Sequence, residues 1–301
     1  MWAITSYFNP QNFQSRYKNY KIFREKLNIP LITVELSFNN EFSLNDDDAD
    51  ILLQVPNGDI LWQKERMLNL ALTKIPKSIE NVAWIDCDVF FGSHQWSIKA
   101  IEALKNYNVI QLFSEAHFLK PDSKTNYQQD ILESKYGLIA SHNFAANKLN
   151  SQWDKKFHPG FAWAAKKSLL IKHQFYDSLI IGGGDSALSY ALFGKYEASR
   201  KHHFFSKIHF EHYLKWALSF NKSVNNKIGF IDEEIFHLWH GKIKNRGYFS
   251  RNKALKSLNF NPYLDITISK NGAWQWNNAS DNLKFYLQEY FKNRREDDSF
   301  S

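Results

Sequence analysis

The 301-residue chain contains a single cysteine, Cys87, so no internal disulfide can form and a reducing compartment is expected. Long apolar runs are missing too: none approaches the roughly 18 residues that a spanning helix needs. The opening MWAITSYFNP has neither a basic n-region nor an extended apolar stretch, which argues against a secretory signal. No linker, low-complexity tract or internal repeat interrupts the sequence. The expectation is a soluble, cytoplasmic protein. Negative charge is in deficit, with 38 Lys and Arg against 31 Asp and Glu and a net charge of +7, so an anionic partner is expected. Nucleotide phosphates, nucleic acid and a lipid surface all qualify. Because the lysines are scattered and not gathered in one helical stripe, nucleic acid is disfavoured, while peripheral contact with a membrane stays open. What the chain has in abundance is rings: aromatic residues make up 16%, with 10 Trp and 25 Phe. Most of them must be core, although ring faces also suit sugars.

Apolar patterning predicts strands at 3–8, 30–36, 51–55, 81–91 and 109–113, and helices at 15–27, 61–75 and 96–107, with Pro76 closing the second helix. Such alternation predicts an α/β fold with a mostly parallel sheet, whose ligands bind at the carboxyl ends of the strands. The polar stretch 114–157 reads as a long loop region over that end. A strand leading into a helix is expected over 161–173, and a terminal helix with a charged, frayed tail closes the chain.

Within this frame the run VAWIDCDVFF (82–91) places Asp86 and Asp88 in what otherwise reads as a buried strand. Residues i and i+2 of a strand share a face, so Trp84, Asp86 and Asp88 would line one side and the two carboxylates could hold one hard divalent cation, Mg²⁺ or Mn²⁺. In the plainer reading both sit at an exposed strand end and bond only to turn amides. The run IIGGGDSALSYALFG (180–194) sets Gly182, Gly183 and Gly184 before Asp185 and a short helix. Asp185 is a natural N-cap there. A cap needs only one glycine, however, and a run of them lets a ligand approach the backbone, leaving Asp185 free to act as a general base. In FHLWHGKIKNRGYFSR (236–251), His237 and His240 have a spacing that can hold one metal, and Lys242, Lys244, Arg246 and Arg251 are donors suited to a diphosphate. Ordinary packed histidines are the plain alternative. The histidines of KHHFF (201–205) and HFEHYLKW (209–216) read as an amphipathic or loop surface.

Taken together and in this order, these blocks resemble the glycosyltransferases of GT-A fold, particularly inverting galactosyltransferase-like and family-2-like members. LWQKERMLNLAL, WIDCDVFF, HPGFAWAAKKSLL and GGGDSALSYAL carry the resemblance, from WAITSYF to NRGYFSR. It implies a Rossmann-like GT-A fold with a mostly parallel central sheet flanked by helices. The implied divisions are a nucleotide-sugar-binding half at 1–113, an acceptor-side and catalytic half at 114–260 and a C-terminal extension at 261–301. By resemblance, Asp86 and Asp88 bind the donor and Mn²⁺ (or Mg²⁺), with Asp88 the direct metal ligand, His240 a second and His237 a further one. Lys64, Arg66, Gly183 and Gly184 contribute to the donor site, Asp185 is the base, and Phe161 and Trp163 help shape a sugar pocket. The donor would be a nucleotide sugar, with UDP the expected carrier, and the acceptor a carbohydrate or other hydroxyl. Ile180 and Ile181 stand where that group often has a Trp, which leaves the acceptor open. The rival readings are a nucleotidyltransferase and a non-catalytic glycan- or anion-binding module.

Overall fold

The computed structural model describes residues 1–298 except 122, 124–126, 145–156 and 249, with the backbone alone at 142–144. The strands are β1 (Trp2–Phe8), β2 (Leu31–Leu36), β3 (Ile51–Val55), β4 (Asn81–Ile85), β5 (Val89–Phe91), β6 (Val109–Gln111) and β7 (Glu115–Leu119). They continue with β8 (Ile131–Gly137), β9 (Phe157–His158), β10 (Ala162–Lys166), β11 (Ile228–Phe230), β12 (Glu234–His237), β13 (Ile266–Ile268) and β14 (Trp274–Trp276). The α-helices are α1 (Gln14–Lys26), α2 (Lys64–Leu72), α3 (Trp96–Ala103), α4 (Leu138–Phe144), α5 (Lys167–His173), α6 (Gly184–Leu192), α7 (Tyr196–His202), α8 (Lys207–Val224), α9 (Ser250–Ser257) and α10 (Asp281–Lys292).

The apolar runs that predict buried strands form the central sheet, in the spatial order β11-β6-β10-β4-β1-β2-β3. β4, β1, β2 and β3 run parallel, as do β11 and β6, and only β10 runs against its neighbours. The fold is therefore mixed α/β with a mostly parallel central sheet flanked by helices, as the alternation predicts. Every residue of β2 is buried, which matches a strand covered on both faces. Trp84 of β4 and Trp163 of β10 are opposite one another and stack with ring centroids 6.3 Å apart. Trp163 is fully buried, so it belongs to the core and cannot line a sugar pocket. The hydroxyls of Ser206 and Ser280 cap the starts of α8 and α10. Among the described residues no helix is long and apolar enough to cross a membrane.

The structure corrects several expectations. The run 81–91 is two strands: β4 ends at Ile85, and Asp86, Cys87 and Asp88 form the turn into β5, which joins a second sheet of order β5-β12-β7-β8-β9. The two aspartates therefore do not share one strand face. Helix α2 is shorter than 61–75, and its Lys64 and Glu65 lie in the first turn. The stretch 114–157 is not one long loop, because β7, β8, α4 and β9 occupy much of it; residues 145–156 lie outside the described residues. Alternation misses β8 because its centre is exposed, ILESKYG reading as a polar run. His203 and His209 are buried at 3% exposure each, not surface residues, and His203 Nε2 lies 3.1 Å from the Gly183 carbonyl. The terminal tail is not frayed over 294–296, since Arg294 and Glu296 are almost fully buried.

Candidate active site

The turn Asp86–Asp88 lies at the carboxyl end of β4, and three other segments meet it there. The antiparallel direction of β10 brings the residues before it, His158 to Phe161, to the same rim. The Asp86 amide donates to the Phe161 carbonyl across 2.8 Å. Phe161 has φ 78°, a left-handed conformation that costs a residue with a large side chain about 1–3 kcal/mol. Its ring stacks flat on His158 at 3.6 Å and faces His237 at 4.7 Å. The Phe161 ring therefore serves the site through the histidines.

Lys64 forms the centre of one half. Its Nζ lies 2.5 Å from Asp86 Oδ1 and 3.2 Å from both carboxylate oxygens of Asp185. Burial opposes the ammonium, but Asp185 and Asp86 hold Lys64 charged, well above its ordinary range. Burial pushes Asp86 up to about 7, with Asp185 and Asp88 adding to the rise and Lys64 opposing it. Asp185 is not the N-cap of α6: Gly183 holds that position with φ 105°, and the aspartate points from the first turn toward Lys64. The glycine run has a structural account. Gly182 and Gly183 take left-handed φ, and a Cβ on Gly184 would collide with the Glu65 carboxylate. Asp185 also closes on Gly160, whose added Cβ would sit 2.8 Å from Asp185 Oδ2. Arg66 does not join this group; it pairs with Asp177 at 3.0 Å.

Glu65 is 6% exposed, and burial, reinforced by Asp185 and opposed by Lys64, raises it to about 8. An unfolded chain ionises this carboxyl near its ordinary value of 4.5, whereas the folded chain keeps the proton until about 8. Over that interval the unfolded state binds fewer protons, so stability falls as pH rises, by up to about 1.4 kcal/mol per unit from this group. Glu65→Gln is expected to flatten the decline of Tm between pH 5 and pH 8. An unchanged slope in the variant would remove Glu65 as its cause.

The other half is built by strand pairing. β12 lies antiparallel to β5 with His237 opposite Val89, and the Leu238 amide donates to the Asp88 carbonyl at 2.8 Å. This register delivers His237 and His240 to Asp88. Their Nε2 atoms are 3.1 Å apart, and Asp88 Oδ2 lies 3.1 Å from that of His240 and 3.9 Å from that of His237. Burial lowers the proton affinity of both histidines, with His240 adding to the effect at His237 and Arg246 at His240, so the rings are held in the neutral, ligating form. Asp88 Oδ1 is buried without a hydrogen-bond partner. One carboxylate and two imidazoles converging on one point, with a spare buried oxygen, suit a divalent ion. Asp86 is not in that group; its carboxylate is engaged by Lys64.

Sequence reasoning misses Glu296. It pairs with Arg16 at 2.5 Å and with Arg294, and its Oε2 lies 3.8 Å from His240 Nδ1. Burial works against this carboxylate, but Arg16 and Arg294 keep it ionised, well below the usual range. A carboxylate behind a ligating imidazole fixes ring orientation. Close by, Arg246, Arg251 and Arg294 are buried at 8%, 5% and 3% exposure and donate to the hydroxyls of Tyr248 and Tyr290. The Nε atoms of Arg246 and Arg251 have no partner, and a Cβ on Gly182 would meet Arg251 Nη2 at 3.3 Å. The cationic cluster thus borders the glycine run. Lys244, by contrast, is exposed.

No protein family and no curated protein matches this sequence. Among solved structures the chain is similar to 4-diphosphocytidyl-2C-methyl-D-erythritol synthase from Anaerococcus prevotii, at 14% identity and TM-score 0.35, covering 77% of this chain and 86% of that one. It is also similar to residues 1–349 of S. aureus TarS, at 12% identity and TM-score 0.33, covering 74% and 71% of the two chains. With the bifunctional IspDF of Campylobacter jejuni it shares 13% identity at TM-score 0.33, over 77% of this chain and 48% of that one.

Proposed function

We propose that this chain is a metal-dependent, inverting glycosyltransferase of GT-A type. It would move a hexose or N-acetylhexosamine from a nucleotide sugar, with UDP as the carrier, to a hydroxyl of a carbohydrate acceptor. The observation that carries this reading is the meeting, at the carboxyl end of β4, of the Asp88–His237–His240 group with the Lys64–Asp86–Asp185 group. A divalent ion held by Asp88, His237 and His240 would offset the charge that builds on the departing diphosphate. Arg246 and Arg251, each with an unsatisfied guanidinium nitrogen, are suited to grip its phosphate oxygens. Asp86, paired with Lys64, would contact the donor ribose or phosphate. Asp185 takes the proton from the attacking hydroxyl, and Lys64 fixes the direction of its carboxylate. Attack assisted by one base at one face of the sugar predicts inversion of the anomeric carbon.

The test is incubation of the purified protein with Mn²⁺ and a panel of nucleotide sugars, without acceptor. Slow release of nucleoside diphosphate from one donor, abolished by EDTA, is expected. No release and no donor binding across the panel would replace this reading with a non-catalytic binding module. In parallel, Asp88→Asn should weaken Mn²⁺ binding by more than about 100-fold, and Glu296→Gln by about 10–100-fold, the cost typical of a partner behind a metal-bound histidine. Calorimetric titration measures both, and equal Mn²⁺ affinity in wild type and Asp88→Asn would sink the metal assignment.

A further inference from the structure

The second sheet carries a separate cluster that the proposed reaction does not use. Glu115 and His117 are two apart on β7 and so share a face, and Glu234 lies directly opposite Glu115 on the parallel neighbour β12. Like charges facing each other across a strand pair are unfavourable unless something cationic lies between them. Neither carboxylate has a lysine or arginine partner among the described residues, and the nearby basic group is the His117 imidazole, with Nε2 3.6 Å from Glu234 Oε2. His117 is 7% exposed, and its buried Nε2 makes no hydrogen bond. Its Nδ1 lies 2.7 Å from the Ser134 hydroxyl on β8, the arrangement that fixes a ring whose other nitrogen binds a metal. One nitrogen and two carboxylate oxygens from these residues all lie within 4.8 Å of one another.

We propose that Glu115, His117 and Glu234 form a second divalent-cation site, independent of the Asp88 group. One imidazole with two carboxylates suits a borderline ion of the Zn²⁺ or Mn²⁺ kind. Glu115 and Glu234 also border a cavity of about 800 Å³, from which an ion would reach them; the cavity lining includes none of Asp86, Asp88 or Asp185. Glu234, whose side chain is 51% exposed, is free to complete the coordination by a rotamer change.

The probe is Zn²⁺ alone, which binds such donors more tightly than Mn²⁺. The full chain is dialysed against it and the bound metal counted, with affinities from calorimetric titration. Wild type should hold two ions. Glu234→Gln, at a half-exposed position that does not threaten folding, and His117→Ala should each lose one or bind it at least tenfold more weakly, while His240→Ala loses the other. If Glu234→Gln and His117→Ala retain the wild-type stoichiometry and affinities, the second site does not exist. A wild type that binds a single ion, lost on His240→Ala, overturns it equally and leaves the Asp88 group standing.

Discussion

Replacing Lys64 with methionine should destabilise the protein by about 3–5 kcal/mol, the usual cost of removing one partner from a buried ionic group. The ammonium is the shared counter-ion of Asp86 and Asp185, at 2.5 Å and 3.2 Å, and its side chain is only 11% exposed. Methionine fills much the same volume, so the loss isolates charge from packing. The effect should also depend on pH. Asp86 already holds its proton up to about 7 against the opposition of Lys64. Without that opposition it holds the proton to higher pH still, while in the unfolded chain it ionises at its ordinary low value. Below about 7 both folded proteins keep this proton and the deficit should stay level; as pH rises from about 7 to 8 the wild type releases it and the variant does not, so the deficit should grow there. Urea unfolding at pH 5 and pH 8 measures it. Midpoints equal to wild type at pH 8 would mean that Lys64 does not carry this load.

Asp185→Asn should lower the rate of donor hydrolysis, with water standing in for the acceptor hydroxyl, by about 10²–10⁴-fold, the range for loss of a general base. Asparagine keeps the shape, and Lys64 keeps Asp86 as a partner, so the fold should survive and donor affinity should change little. The combination of an intact binding constant with a collapsed rate separates a base from a residue that merely shapes the pocket. Nuclear magnetic resonance of the freshly released sugar should show the inverted anomer with the wild type. A retained anomer, or an asparagine variant hydrolysing at the wild-type rate, would remove Asp185 from this role.

How far the sequence reveals these features depends on the range of the interactions involved. The apolar runs of β1, β2 and β4 are legible because a strand buried on both faces needs nothing from distant residues to be recognised. Asp86, Asp88, Asp185, His237 and His240 stand out because each breaks a local rule, whether a charge in an apolar run or three glycines where one would do. The split of 81–91 is not legible in the same way: Val89 to Phe91 is as apolar as Val82 to Ile85, and only pairing with β12 shows that the two halves belong to different sheets. Glu296 is the furthest from view. Its segment NRRED has the charge pattern of a solvated tail, and nothing local indicates that Arg16, near the start of the chain, and His240 enclose it. Glu65 is hidden for a related reason, since an acidic residue in the first turn of a helix already has an electrostatic explanation.

The reversed direction of β10 bears on how such a protein could diversify. In an all-parallel sheet the segments at the reactive rim are those that leave the strands, and each is tied to the helix that follows it. Here a segment that leads into a strand shares the rim with the Asp86–Asp88 turn, joined to the turn by the backbone bond from Asp86 to Phe161 and to β8 and β6 by the pairing of His158 with Gly137 and the bond from Gln111 Nε2 to the His158 carbonyl. Under the proposed reading, selection for new acceptors could act on residues 158–161 while the residues proposed to hold the donor remain as they are.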